Sequence, residues 1–152
     1  MPRLTIDTPL GPLSITEQEG MIAAIGWRNF QPDSPTPLLQ ESAGQITDYF
    51  AGTRKSFDLP LNPAGTEFQQ RVWKRMSEIP YGETLSYGEL AQAIGTSPRP
   101  VGTACGRNPI PVIIPCHRVL AADQKIGGYT GGAGIKTKAF LLDLEAGQSA
   151  PS

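Results

Sequence analysis

Ser86-Tyr87-Gly88-Glu89-Leu90-Ala91-Gln92-Ala93-Ile94-Gly95-Thr96-Ser97-Pro98-Arg99-Pro100-Val101-Gly102-Thr103-Ala104-Cys105 reads as two short helices joined by a tight turn. Ser86 with Glu89 three residues on is a capping-box pattern, in which the two side chains satisfy free N–H groups of the first turn. Leu90, Ala91 and Ile94 then give an apolar face, and Gly95 supplies a left-handed stop. Ser97 is placed to cap the next helix. Pro98 and Pro100 fall in its first turn, where their rings break no internal hydrogen bond. Val101, Ala104 and Cys105 face inward. Two such helices around a Gly-containing turn fit a helix-turn-helix, with the later helix in the recognition position. On pattern alone, two core helices are the plainer reading. Arg99 at the start of the recognition helix, with Gly102, Thr103 and Gly106 keeping its outer face small, favours close approach to a nucleic-acid groove. An arginine there is also ordinary as a solvated surface residue.

Working upstream, Thr66 with Gln69 repeats the capping box and opens a helix whose Phe68, Val72, Trp73, Met76 and Ile79 share a face, ended by Pro80 and Gly82. Residues 59–65, with Pro60 and Pro63 around Asn62, read as a linker, because each proline disfavours helix in the residue before it. Earlier still, Leu13 and Ile15 alternate with Ser14 and Thr16, residues 17–20 can turn, and 21–27 are apolar enough to pair, which makes a hairpin. Beyond a Pro-rich loop, Leu38, Leu39, Ala43, Ile46, Tyr49 and Phe50 recur at helical spacing, closed by Gly52. The fold expected is α+β: a small sheet-plus-helix domain at 1–60, a linker at 61–65, and a mainly helical, winged-helix-like domain with the helix-turn-helix at 66–152.

Downstream, the apolar and strand-like Val112-Ile113-Ile114 delivers Pro115-Cys116-His117-Arg118. A thiol is nucleophilic only as thiolate, so it needs a base, a cation or a helix N-terminus beside it, and the single histidine of the chain is adjacent. An isolated cysteine in an apolar run is more often inert packing. Successive residues of an extended segment also point to opposite faces, so a direct Cys116–His117 bond requires a turn or a bridging water. Residues 127–132, Gly127-Gly128-Tyr129-Thr130-Gly131-Gly132, read equally as a loop or as a pocket wall. Ile135, Ala139, Leu142 and Ala146 mark a last helix stopped by Gly147. Glu145, near its C-terminal end where the dipole disfavours an anion, is either exposed or held by a partner such as His117.

The chain has 152 residues, 39% hydrophobic and 18% charged, with 17 Gly and 15 Pro. That composition excludes a disordered chain and a disulfide scaffold. The formal net charge of −1 gives no overall basic signature, so attraction to DNA would have to come from a local patch. Residues 1–10 show no leader pattern and no apolar run is long enough for a bilayer, so no membrane partner is expected and both thiols should be reduced inside the cell. One His and two Cys fall short of a tetrahedral zinc set, and no metal is expected.

Ile114-Pro115-Cys116-His117-Arg118-Val119-Leu120 closely resembles the active-site signature of the O6-alkylguanine-DNA alkyltransferases, also called methylated-DNA–protein-cysteine methyltransferases. The likeness runs through Gly65-Thr66-Glu67-Phe68, Ile79-Pro80-Tyr81-Gly82-Glu83-Thr84, Gly106-Arg107-Asn108-Pro109, Gly127-Gly128-Tyr129 and Leu144-Glu145. The first part of the chain matches only in its order of elements. The resemblance implies that Cys116 attacks the alkyl carbon on guanine O6, that His117 accepts the thiol proton through a water, and that Glu145 polarises His117. It puts Asn108 in the hinge behind the nucleophile and Tyr87 against the target phosphate. Val119 would offer its carbonyl to the guanine amino group, Tyr129 and Thr130 would wall the pocket, and Arg99 would fill the gap left by an extruded nucleotide. The turn before Arg99 is shorter than in many members. The partner implied is double-stranded DNA carrying O6-alkylguanine, with O4-alkylthymine as a second lesion. The protein would act as a monomer, without cofactor, once per molecule, in the cytoplasm or, in a eukaryote, the nucleus.

Three rival readings stand beside this one. An alkyltransferase-like lesion sensor would bind without repairing, but such proteins lack the cysteine that Cys116 supplies. A thiol hydrolase would turn over repeatedly with no dependence on DNA. Pure core packing would leave an unreactive thiol, which suits Cys105 better than Cys116.

Overall fold

Strands β1 (Arg3–Thr8), β2 (Gly11–Gln18) and β3 (Met21–Gly26) form an antiparallel sheet in the order β1-β2-β3. The computed structural model describes residues 1–122, 125–126 and 134–147. The expected hairpin is β2–β3, turned by Glu19 and Gly20, whose φ values of 54° and 79° fit a two-residue primed turn. The sequence reading missed β1, which pairs along β2 from Arg3↔Thr16 to Thr8↔Gly11. Helix α1 (Pro37–Phe50), capped by the Thr36 hydroxyl, lies across β1 and β2 and buries Leu39, Ile46, Tyr49 and Phe50.

Residues 59–62 adhere to the edge of β3: Ile22 N–H donates to Pro60 O and Asn62 N–H donates to Ile22 O, each at 2.8 Å. The same edge reaches into the second half of the chain, where Ile25 N–H donates to Pro109 O at 2.9 Å. One continuous apolar core therefore runs from Leu13 and Ile15 through Val72, Trp73 and Leu90 to Leu141 and Leu144.

Helices α2 (Glu67–Ser77), α3 (Tyr87–Ile94) and α4 (Pro98–Gly106) pack on one another, and both expected capping boxes are present. Gly95, at φ 86°, makes the turn between α3 and α4. Ser97 sits at the N-cap of α4 but makes no side-chain cap bond. The reason is Pro100, which removes the third N–H that a serine cap would engage. Strands β4 (Leu85–Ser86) and β5 (Val119–Leu120) pair in parallel, Leu85 opposite Val119, and so bring the start of α3 to the segment after Cys116.

Two expectations fail locally. Val112-Ile113-Ile114 is a buried turn, not a strand: Ile114 N–H donates to Ile110 O at 2.9 Å and Val112 has φ 75°. Pro109, Pro111 and Pro115 remove the donors that a ladder needs. In α5 (Ile135–Glu145), Ile135 and Ala146 are exposed, and the buried face is Thr137, Lys138, Leu141, Leu144 and Glu145. An apolar stripe misled the reading because the inward face carries polar groups.

Candidate active site

Pro115, at φ −82° and ψ 68°, centres a three-residue turn in which Cys116 N–H donates to Ile114 O at 2.8 Å. A single 3₁₀ turn, Cys116–Arg118, follows directly. An extended segment would have sent Cys116 and His117 to opposite faces; in a 3₁₀ turn three successive side chains fan about one axis. Behind it, Asn108 clamps the 110–114 turn from within. Its Nδ2 donates to Ile114 O at 2.8 Å and its Oδ1 accepts from Ile110 N–H at 2.9 Å. Asn108 thus fixes the peptide from which Cys116 is hung.

His117 is wholly buried, and its Nε2 lies 2.6 Å from Glu145 Oε2. Burial pushes the imidazole below its ordinary value, against the pull of Glu145. Nε2 therefore carries the proton toward the carboxylate, and Nδ1, which has no hydrogen-bond partner among the described residues, keeps its lone pair.

Glu145, itself buried, collects five donors. Oε2 accepts from His117, from Tyr49 Oη at 2.6 Å and from Arg118 Nη2 at 3.0 Å. Oε1 accepts from Arg118 Nε at 2.8 Å and from Gly82 N–H at 3.4 Å. Burial alone would raise the carboxyl, but the bonds from His117, Arg118 and Tyr49 outweigh it and hold the group at about 2. Exposure, the simpler expectation for Glu145, is ruled out. Arg118, which also donates from Nη1 to Ile79 O at 2.7 Å, makes a two-pronged clamp on the carboxylate.

Lys138 is fully buried; its Nζ donates to Val119 O at 2.7 Å and stands 5.7 Å from the centre of the Tyr87 ring. Burial pushes the Tyr87 phenol up to about 12, with Cys105 and Cys116 nearby adding to it. Cys105 is raised to about 12 by burial and by Cys116, and its thiol donates to Met76 Sδ at 3.4 Å. It is a packing thiol.

His117 and Glu145 thus meet, Cys116 begins the same turn, Asn108 braces the segment before it, and Tyr87 and Val119 adjoin them through the β4–β5 pair and Lys138. Arg99 and Gly102 stand apart on the outer face of α4, Arg99 exposed and Gly102 half-exposed. Tyr129 and Thr130 lie outside the described residues. The sequence reading assigned no role to Arg118, Tyr49 or Lys138. Arg118 carried no local signal of its role, because its partner Glu145 lies 27 residues further along the chain. Nothing in the spacing of Tyr49 distinguishes it from a core aromatic.

A buried thiol at the start of the turn that carries a buried histidine–carboxylate pair, tied to the start of α3 through the β4–β5 pair, defines a helix-turn-helix protein with a shielded cysteine. Residues 67–147 match the family model for the 6-O-methylguanine DNA methyltransferase DNA binding domain, and residues 3–63 that for the ribonuclease-like domain of the same family. The chain belongs to the 6-O-methylguanine DNA methyltransferase family. It is 42% identical over 154 residues to the constitutive methylated-DNA–protein-cysteine methyltransferase of Bacillus subtilis, covering 93% of each chain. It is likewise 42% identical over 149 residues to the methylated-DNA–protein-cysteine methyltransferase of Methanosarcina acetivorans, covering 91% of this chain and 94% of that one. Its fold superposes on the crystal structure of Mycobacterium tuberculosis OGT in complex with DNA with a TM-score of 0.89 at 43% identity, over 100% of this chain and 96% of that one.

Proposed function

We propose that this protein repairs O6-alkylguanine in double-stranded DNA by moving the alkyl group irreversibly to Cys116. The observation that carries the reading is the setting of His117: Nε2 is bound to Glu145 and Nδ1 has no hydrogen-bond partner among the described residues, in the turn that begins with Cys116. The Cys116 proton passes to His117, through a water where the two do not touch. The thiolate then attacks the alkyl carbon, the S–C bond forms as the C–O6 bond breaks, and the electron pair leaves on guanine, which takes up a proton. Glu145 holds the imidazolium, as a buried carboxylate orients a general base. A thioether has no hydrolytic exit, so each molecule acts once.

O6 of a paired guanine cannot meet a buried thiol, so the nucleotide must leave the stack at a cost of a few kcal/mol, less where the lesion has weakened pairing. The helix-turn-helix enters the minor groove, Arg99 fills the gap, and Tyr87 crowds the target phosphate. Gly102 supports close approach: a Cβ there would meet none of the described residues beyond its own helix within 4 Å, so the packing around it does not require a glycine. Val119 O, which accepts from Lys138 Nζ, faces the guanine amino group. The family resemblance alone assigns Tyr129 and Thr130, which lie outside the described residues, to the pocket wall. Division at 61–65 separates a supporting unit, 1–60, from the reactive and DNA-binding unit, 66–152. No helix among the described residues is long and apolar enough to cross a membrane. The protein works as a monomer in the cytoplasm, where DNA and reduced thiols coexist, and O4-alkylthymine is its second lesion.

The test is intact-protein mass spectrometry with an excess of duplex carrying one O6-methylguanine, then peptide mapping. One methyl increment on Cys116, saturating at one per molecule, is the expected result. Unmodified protein that still shifts the duplex would make it a lesion sensor.

A further inference from the structure

Of the five donors on Glu145, four come from the second half of the chain: His117, the two nitrogens of Arg118, and the Gly82 amide. The fifth is the phenol of Tyr49, on α1, 96 residues away in sequence. Tyr49 is fully buried, with its ring edge-on to Phe50 and Tyr81 and tilted against Phe57. Its hydroxyl donates a hydrogen bond to Oε2, the same oxygen that is bonded to His117 Nε2. A phenol next to a buried carboxylate stays a donor, because burial and the adjacent negative charge both hold its proton on. The bond is short and charge-assisted, a class roughly twice as strong as a neutral one.

We propose that Tyr49 is a positioning residue for the transfer reaction, through which the N-terminal unit sets the register of Glu145 and the proton affinity of His117. The inference deepens the repair reading and rests on it. A proton donated to Oε2 withdraws charge from the oxygen that would stabilise an imidazolium. With the phenol present, His117 is a weaker base; without it, Oε2 leans wholly on His117, and the imidazole holds its proton to higher pH. The other groups facing His117 and Glu145 leave this sign unchanged. Arg118 and Lys138 lower the imidazole and Glu145 raises it, while Tyr81, edge-on to Tyr49, also lies near Glu145 and carries the Arg118 guanidinium 5.7 Å from its ring centre, and it is unchanged by a substitution at Tyr49. The carboxylate also loses one of its points of fixation, and small displacements of an orienting group are costly to rate.

Tyr49→Phe keeps the ring and removes only the donor. Because the chain has one histidine, its imidazole nitrogens give an isolated NMR signal, which can be titrated without any DNA. The expected outcome is a His117 midpoint at higher pH than in the parent protein. The acid limb of single-turnover methyl transfer should move up with it, and the plateau should slow by about tenfold. If Tyr49→Phe does not fold, 3-fluorotyrosine placed at position 49 gives a more acidic donor of nearly the same shape, and both midpoints should move down. A slower rate with neither midpoint moved would reduce Tyr49 to packing and overturn the proposal. Parent protein that is never methylated at Cys116 would remove the repair reading, while the titration would still judge the link from Tyr49 to His117.

Discussion

A carboxylate at the C-terminal end of a helix, out of water, is disfavoured by the dipole and by desolvation, yet Glu145 is held ionised because its donors converge. That arrangement fixes how stability responds to acid. His117 is pushed down by burial, so as pH falls below the ordinary imidazole value of 6.5 the unfolded chain binds a proton that the folded one refuses, and stability declines. Glu145 adds a second window. Its native value of about 2 lies below the ordinary 4.5, so its contribution is complete above 4.5 and is lost as pH falls toward 2. Thermal midpoints should therefore drop in two stages on acidification. Glu145→Gln should be less stable at neutral pH, because Arg118 is then buried without its counter-charge, and should lack the second stage. A variant curve parallel to the parent between pH 4.5 and 2 would refute this account. Of these residues, His117 and Glu145 were legible through the resemblance. Arg118 and Tyr49 were not, because each owes its role to a partner that the fold delivers from far along the chain.

Helices were legible where they carry their own punctuation. Thr66 with Gln69, Ser86 with Glu89 and the glycine at 95 act within a few residues, so their signals survive without tertiary context. Segments whose conformation is set by distant or missing partners were misread. The 110–114 run looked like a strand because its residues are apolar, whereas Asn108 and three prolines make it a turn. In α5 the polar Lys138 and Glu145 face inward because Val119, His117 and Arg118 await them there. On α4 the opposite case is instructive, since no described residue beyond its own helix packs on Gly102, so packing does not account for it. Gly102→Ala should leave the fold intact or stabilise it by up to about 1 kcal/mol, as alanine does within a helix. Affinity for a lesion duplex should fall at the same time, because a methyl group then stands where backbone must approach DNA. Urea denaturation and fluorescence anisotropy on one preparation measure both. Unchanged affinity would take the outer face of α4 out of the interface.

At the scale of the molecule, the two halves read as separate units from the prolines at 60 and 63, but physical ties cross between them. The edge of β3 bonds to Pro60 and Asn62 on one side and to Pro109 beside the active turn on the other, and Tyr49 reaches Glu145 through the shared core. A chain of this size with one continuous core should unfold in a single cooperative step. The sequence offers a direct probe, since its two tryptophans fall on opposite sides of the linker. Trp27 follows β3 and is half-buried, while Trp73 lies in α2 with its indole N–H donating to Ala104 O at 2.9 Å. Trp73→Phe leaves only the N-terminal reporter and Trp27→Phe only the C-terminal one. Each substitution shifts the midpoint of its own variant, so fluorescence in each is to be compared with far-ultraviolet circular dichroism of the same variant. Within each, the two signals should coincide in midpoint and slope. If the N-terminal reporter melts ahead of the helical signal, residues 1–60 come away first, and the Tyr49 bond to Glu145 breaks while α2, α3 and α4 stand. Glu145 would then lose its Tyr49 donor before the protein loses its fold, and transfer activity should fall with the Trp27 signal rather than with the helical one.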